Sequence, residues 1–242
     1  MITIMWQWIE NIDIGLFYLI NASGQNAFFD VIMPFISNEK NFYVPLAIAW
    51  LLLVIAGSRG LQLVVLKLEN HYVPFLTGPL RRFAFTRSKI KLRTVAVAVL
   101  ILISFSEWIS SGVLKPVFDR PRPYHSLSRV HLYDRMFKTW SVTPELKTIV
   151  RGESLSLPSS HATNIFAAAF FLSFFFRKVW PLFYLIAFWV GYSRVYLGVH
   201  FPFDVFIGGI AGTLCGAVMA WVGTRVIRFD RRRLNKNDAL NT

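Results

Sequence analysis

The chain has 242 residues, 55% of them hydrophobic and 16% aromatic, and a formal net charge of +13. That is too apolar for a soluble domain of this length, so a bilayer is the expected solvent. In such a chain the surplus of Lys and Arg reads as positive-inside bias and contact with anionic lipid, which excludes nucleic acid as the expected partner.

The N-terminal segment, 1–38, contains "MWQWIENIDIGLFYLINAS", where Glu10, Asp13 and Asn21 interrupt the apolar run. It reads as an interfacial amphipathic helix rather than a crossing. No basic residue precedes Lys40, so a cleavable secretory signal is not expected. Five stretches then approach the length of about 20 residues that crosses a bilayer. They are Phe42–Gly57, Thr94–Leu114, Ala162–Phe176, Val179–Val199 and Asp204–Gly223. The fold class expected is all-α, a polytopic transmembrane helix bundle of five spans in one domain, 1–242, or six spans if the N-terminal segment also crosses.

Lys and Arg set the direction. The insert 59–93 carries Lys67, Arg81, Arg82, Arg87, Lys89 and Lys91, the turn Arg177–Lys178 is basic, and the tail 225–242 holds Arg225, Arg228, Arg231, Arg232, Arg233 and Lys236. Five alternating spans put all three on one side, which by the positive-inside rule is cytoplasmic and meets anionic phospholipid. The loop 118–158 and the turn His200–Phe203 then face outward. Within the fifth span, Gly208, Gly212 and Gly216 recur every four residues, as close helix contact requires. The single cysteine, Cys215, lies beside them and reads as packing material, with no intramolecular disulfide available.

The same alternation gathers three distant stretches at one outer rim. "KPVFDRPRP" ends the second span, "LPSSHATN" starts the third, and "SRVYLGVHFPFD" joins the fourth to the fifth. Lys115 is a point charge, whereas Arg122 and Arg194 are planar forks suited to paired phosphate oxygens. Cations crowded in this way call for an anion among them. Pro158 and Ser159 read as the start of a helix whose first amides, from Ser160 and His161, would point outward and attract that anion. His200 and Asp204 share a face if a helix begins near Phe201, so the carboxylate could orient the imidazole and leave its other nitrogen free to attack. An anion cradle, an oriented nucleophile and a second histidine are the parts of phosphoryl transfer without a metal.

These three stretches resemble the signature of the type 2 phosphatidic acid phosphatases, a superfamily that includes the vanadium haloperoxidases. Its parts are Lys, six residues, Arg-Pro; Pro-Ser-Gly-His; and Ser-Arg, five residues, His, three residues, Asp. The first and third are intact here, and the middle one, Pro158 to His161, has Ser160 in place of Gly. The resemblance covers the chain from the second span to the fifth. It implies an integral phosphatase of the bacterial cytoplasmic (inner) membrane whose site faces the exterior and needs no cofactor or metal. His200 would be the nucleophile that forms a phosphohistidine, and Asp204 would orient it. His161 would be the acid that serves the leaving alkoxide and later the base for water. Lys115, Arg122 and Arg194, with Ser159 and Ser160, would bind phosphate. Substrates implied are lipid phosphates and diphosphates: undecaprenyl diphosphate, favoured by the compact chain, then lipid A 1-phosphate, phosphatidylglycerophosphate and phosphatidic acid. A lipid-to-lipid phosphotransferase would use the same site, and a non-catalytic lipid transporter or binder would need the cations but not the His200–Asp204 pair.

Glu107, an ionisable group inside the second span, shares a helical face with Ser111 and Lys115 and is expected to support the site from behind. Arg120 falls outside the signature and is expected at the surface or against a headgroup. His71, His125 and His131 lack metal-ligand spacing and are expected at the solvent or an interface.

Overall fold

The computed structural model describes residues 2–56, 92–145 and 154–240. It is mostly helical, and helix occupies each stretch expected to cross the bilayer. The long elements are α1 (Ile2–Asn21), α2 (Ala27–Ser37), α3 (Lys40–Ala56), α4 (Leu92–Glu107), α5 (Ser160–Phe175), α6 (Trp180–Tyr196) and α7 (Pro202–Leu240). Among the described residues, two stretches are long and apolar enough to cross a membrane by themselves, Thr94–Phe118 and Pro202–Arg225. The basic insert 59–93 lies almost wholly outside the described residues, as do Lys147, Arg151 and Glu153 of the loop 118–158. The tail 225–242 is largely a helical continuation of α7.

The chain forms two compact units. One comprises Phe42–Ile101 and Val222–Thr242, where Trp50 Nε1 of α3 donates to the carbonyl of Ala96 in α4 at 3.0 Å. The other comprises Met1–Asn41 and Leu102–Trp221 and contains every residue of the expected site.

Within that second unit, α7 shows how sequence periodicity becomes packing. Phe206, Ile210, Leu214 and Val218 recur every four residues and are exposed, an apolar face suited to lipid. The opposite face carries the glycines. A Cβ at Gly208 would stand 2.8 Å from the carbonyl of Ser159, one at Gly212 2.1 Å from that of Thr163, and one at Gly216 2.6 Å from that of Ala167. Successive turns of α7 therefore rest directly on successive turns of α5, backbone to backbone, as the glycine spacing leads one to expect. This contact brings the N-terminus of α5 beside the N-terminus of α7, where the Ser159 amide donates to the Asp204 carbonyl at 3.0 Å.

The N-terminal segment is more embedded than an interfacial helix need be. Asp13, Phe17 and Asn21 form a buried stripe at four-residue spacing on α1, while Ile12, Leu16 and Leu19 stay exposed. Asn21 donates to the carbonyls of His131 and Tyr196 at 2.8 Å each and accepts from the His131 amide at 2.9 Å. A second helix, α2, packs on α6 through Met33 and Phe29 against Tyr196.

Two features depart from an uninterrupted all-α reading. After Glu107 the second expected span widens into a π-helical stretch, Trp108–Leu114, before a closing α-turn, Lys115–Phe118. The loop 118–158 holds an antiparallel hairpin, His131–Asp134 with Thr139–Val142. Its turn lacks the Asn-Gly or Asp-Gly signal that would announce it. Asp134 Oδ1 accepts the amides of Met136 and Phe137 instead, and Lys138 takes the left-handed conformation at φ 54°. His131, expected at the surface, is mostly buried and stacks on Trp140 at 4.1 Å.

Gly212→Ala forces a backbone shift between α5 and α7 and should cost about 1–3 kcal/mol or prevent folding. Gly223→Ala, where a Cβ meets nothing within 4 Å, should be neutral. Thermal unfolding of the two detergent-solubilised variants checks the contrast.

Candidate active site

The site is assembled on helix ends. α7 begins at Pro202, which suits a first turn because its missing N–H has no partner to lose. Asp204, in the third helical position, accepts the Phe201 amide on Oδ2 at 2.8 Å, the reach-back half of a capping box. Asp13 of α1 caps the next free donor, accepting the Phe203 amide at 2.8 Å. The turn that delivers His200 depends on Gly198, at φ 78°, where a Cβ would lie 2.7 Å from the His131 carbonyl.

Asp204 is fully buried, and its remaining lone pairs are used. Oδ1 accepts Arg120 Nη1 at 2.8 Å and Oδ2 also accepts the Ser156 hydroxyl. His200 Nδ1 stands 3.5 Å from Oδ2, as an electrostatic neighbour short of a full hydrogen bond. Burial, with the charges of Arg194 and Arg122, outweighs the pull of Asp204 and pushes the His200 imidazole down to about 4. The ring is therefore neutral over the ordinary pH range, the state a nucleophile needs.

The expected phosphate binders surround it. Ser159 is fully buried at the N-cap of α5, yet its hydroxyl caps nothing and has no hydrogen-bond partner. Arg194 is 4% exposed near the end of α6, with Nη1 on the Ser37 hydroxyl and Nε unpartnered. Arg122 Nε is likewise buried without a partner. Lys115 closes the π-helical stretch, its amide donating to the Ser110 carbonyl, and its ammonium feels the charges of both arginines. Buried donors without acceptors are rare in folded proteins. Four of them here, counting His200 Nδ1, belong to residues the sequence singles out.

Behind the α5 N-terminus lies a directional hydrogen-bond chain. Ser111 gives its proton to Glu107 Oε1 at 2.6 Å. Ser160, 3.0 Å from Ser111, must therefore donate to it, and Ser110, 3.0 Å from Ser160, must donate in turn. Asn164 fills Glu107 Oε2 at 2.6 Å and accepts from Ser106. The Ser160 hydroxyl, which the family pattern lacks, thus points into this network and away from the cradle. Glu107, expected to support the site from behind, is linked through Ser111 to Ser160.

Residues 91–228 match the profile of the PAP2 superfamily. The chain belongs to that family. It is 30% identical over 135 residues to a lipid A 4'-phosphatase of Bacteroides thetaiotaomicron, covering 54% of each chain. It is 30% identical over 175 residues to an undecaprenyl-diphosphatase of Sulfolobus acidocaldarius, covering 71% of this chain and 72% of the relative. It is 32% identical over 114 residues to phosphatidylglycerophosphatase B of Bacillus subtilis, covering 42% and 56%. The chain spans about half the length of most of the curated relatives it matches.

Sequence reasoning about this PAP2 chain misjudged Arg120 and overlooked Asp13, Ser37, Glu39 and Arg135. Arg120 is not a surface or headgroup contact. It bridges Asp204 and Asp13, at 2.6 Å to the latter, with its guanidinium 3.9 Å from the Phe201 ring centroid. A carboxylate in an apolar helix was the available signal for Asp13, the same signal that singles out Glu107. Ser37, Glu39 and Arg135 carried no such mark. Glu39 Oε2 lies 2.8 Å from His161 Nε2, and Arg135 donates to the Ser37 carbonyl at 2.8 Å and hydroxyl at 3.0 Å.

Asp13→Ala leaves Arg120 Nη2 and the Phe203 amide without an acceptor, and should destabilise the protein by about 3 kcal/mol. A double-mutant cycle with Arg120→Ala, read by thermal unfolding, should return a coupling of about 1–3 kcal/mol.

Proposed function

We propose that this protein is an integral membrane lipid phosphatase that hydrolyses the terminal phosphate of a lipid phosphate or diphosphate through a phosphohistidine on His200. The observation that carries this reading is the set of buried, unpartnered polar atoms, Arg122 Nε, Arg194 Nε and Ser159 Oγ, contributed by three stretches far apart in sequence and set around the His200 imidazole. A phosphoryl group offers acceptors for these three and an electrophile for the imidazole. Lys115, Arg122 and Arg194 neutralise its oxygens, and the first-turn amides of α5 add a positive helix end. Asp204 steadies the imidazolium that develops as His200 bonds to phosphorus. His161 protonates the departing oxygen and then draws the proton from the water that cleaves the phosphohistidine.

The bilayer presents the substrate sideways, tails against the apolar faces of five crossing helices and headgroup at the outer rim. The substrate assigned first is undecaprenyl diphosphate, in keeping with the archaeal relative that bears that activity in its name. A phosphate of lipid A is the second reading, supported by the name of the Bacteroides relative. The cradle is built from cations and amides, and hydrolysis is proposed to proceed without a metal.

Phosphate release from a panel of lipid phosphates in detergent tests the proposal. His200→Ala should lose activity by about 10³-fold or more, given what removing a covalent nucleophile costs other hydrolases. Chelator should leave the wild type unaffected. A lipid binder would survive His200→Ala, and a phosphotransferase would release phosphate only slowly without an acceptor lipid.

The depressed His200 basicity has its own consequence. Because attack needs the neutral ring, the acid limb of kcat/KM for this group should fall near pH 4 and not near 6.5. A limb at 6.5 that follows His200 would contradict the burial argument.

A further inference from the structure

The turn between α2 and α3 places a carboxylate against the second histidine. Glu39 Oε2 is 2.8 Å from His161 Nε2. The turn is itself fixed: the Lys40 amide donates to the Asn38 side chain at 3.2 Å, the Asn41 amide to the Asn38 carbonyl at 3.1 Å, and the Asn41 side chain to the Phe35 carbonyl at 2.9 Å. Glu39 is thus held by backbone geometry rather than swinging on a free loop.

The charges around His161 give this contact its weight. Burial opposes a proton on the ring most strongly, Arg194 from α6 and Arg135 from the hairpin turn add to it, and together they push His161 down to about 3 against the pull of Glu39. Behind Arg194 stand Arg122 and Lys115. A cradle strong enough to hold phosphate therefore works against any acid placed beside it. Arg135 is tied to Ser37 and lies 3.8 Å from Glu39, so the carboxylate also tempers the nearest of these cations. Burial raises the Glu39 carboxyl, but the His161 hydrogen bond and the charges of His161 and Arg135 hold it below its ordinary value, so it is ionised when needed.

We propose that Glu39 is the positioning residue of the general acid, holding His161 by Nε2 and setting a negative charge against a protonated ring inside a cationic site. The inference rests on the phosphatase reading. In the step it serves, the bond from His200 to phosphorus forms as the bond from phosphorus to the leaving oxygen breaks. The electron pair stays on that oxygen, which takes the Nδ1 proton of His161, and the neutral ring keeps its Nε2–H on Glu39. When water attacks phosphorus, the bond from phosphorus to His200 breaks with its electron pair returning to the imidazole, His161 Nδ1 takes one water proton, and the cycle closes. Glu39 touches neither phosphate nor water.

A general acid matters in proportion to the basicity of the leaving oxygen. The test compares an alkyl ester, dodecyl phosphate, with p-nitrophenyl phosphate, whose phenolate departs without a proton. A general acid contributes roughly 10²–10⁴-fold, and Glu39→Gln, which keeps the shape and loses the charge, should forfeit about 10-fold of it on the alkyl ester. The aryl ester should change by less than about twofold, since its departure needs no acid. The basic limb of the alkyl profile should move about one pH unit lower, because removing the anion lets His161 lose its proton earlier. Glu39→Asp keeps the charge, so its limb should stay near that of the wild type. Equal losses on both esters with an unmoved limb, or no loss on either, overturn the proposal. If Glu39→Gln does not accumulate as folded protein, Glu39→Asp decides through the same two esters, a loss confined to the alkyl ester supporting the role and equal losses refuting it. His200→Ala runs alongside. Activity surviving there sinks the phosphatase reading, whereas an inactive His200→Ala beside an unaltered Glu39→Gln sinks only the role of Glu39.

Discussion

The Asp204 carboxylate is the contact on which the rest of the site hangs. A buried anion is tolerated only when its lone pairs are filled and its charge is matched. Asp204 meets both conditions by drawing on four separate parts of the chain. Arg120 supplies the charge and a hydrogen bond from the end of the α4 stretch, Ser156 comes from the segment before α5, the Phe201 amide belongs to its own helix, and Asp13 of α1 steadies Arg120 from the far side. Each donor exists for Asp204, yet together they fix the relative positions of the stretches that bear Arg122, Ser159 and His200. Fold and site share one electrostatic knot, and a substitution within it acts on stability and chemistry at once.

The opposite demand is made by the cradle. Lys115, Arg122, Arg194 and Arg135 lie close enough to raise one another's energy, and several of their donors have no acceptor in the protein. Such an arrangement is costly by itself and is stabilised by an anion that fits. The two carboxylates nearest the site outside the Asp204 knot are kept to its margins. Glu107 is absorbed by Ser111 and Asn164, and Glu39 by His161. Either one facing the cations would neutralise part of their charge. Their placement preserves an attractive centre while moderating its effect on the neighbouring histidine and lysine.

How much of this was legible in the sequence depended on whether a residue's partner lay at a readable spacing. His200 and Asp204 are four apart, the glycines of α7 recur every four, and Glu107, Ser111 and Lys115 share one face, so local periodicity exposed all of them. Counting expected crossings led to the expectation that Lys115, Arg122, Ser159, His161 and Arg194 share one rim, without any knowledge of tertiary contacts. What stayed hidden is long-range and lacks periodicity. Asp13 pairs with Arg120 across 107 residues and Glu39 meets His161 across 122. The hairpin was invisible for a different reason, since an Asp side chain and a left-handed Lys do the work usually signalled by glycine. The π-helical stretch was likewise unannounced, "WISSGVL" having no pattern that distinguishes a wide turn from an ordinary one.

That wide turn bears on the Ser-for-Gly exchange in the middle motif. In a regular α-helix, residues four apart stand nearly above one another but drift steadily around the axis. Widening the turn at Trp108–Leu114 changes that drift, so that Ser110 and Ser111, adjacent in sequence, both reach the Ser160 hydroxyl at 3.0 Å. The hydroxyl at position 160 adds an oxygen that needs hydrogen-bond partners. It has two partners behind it, and both sit on the segment whose geometry departs from regular helix. The extra oxygen and the π-helical stretch are matched features: the local distortion supplies the partners that let a serine stand where the family pattern has glycine, with the backbone amide of Ser160 left for the site.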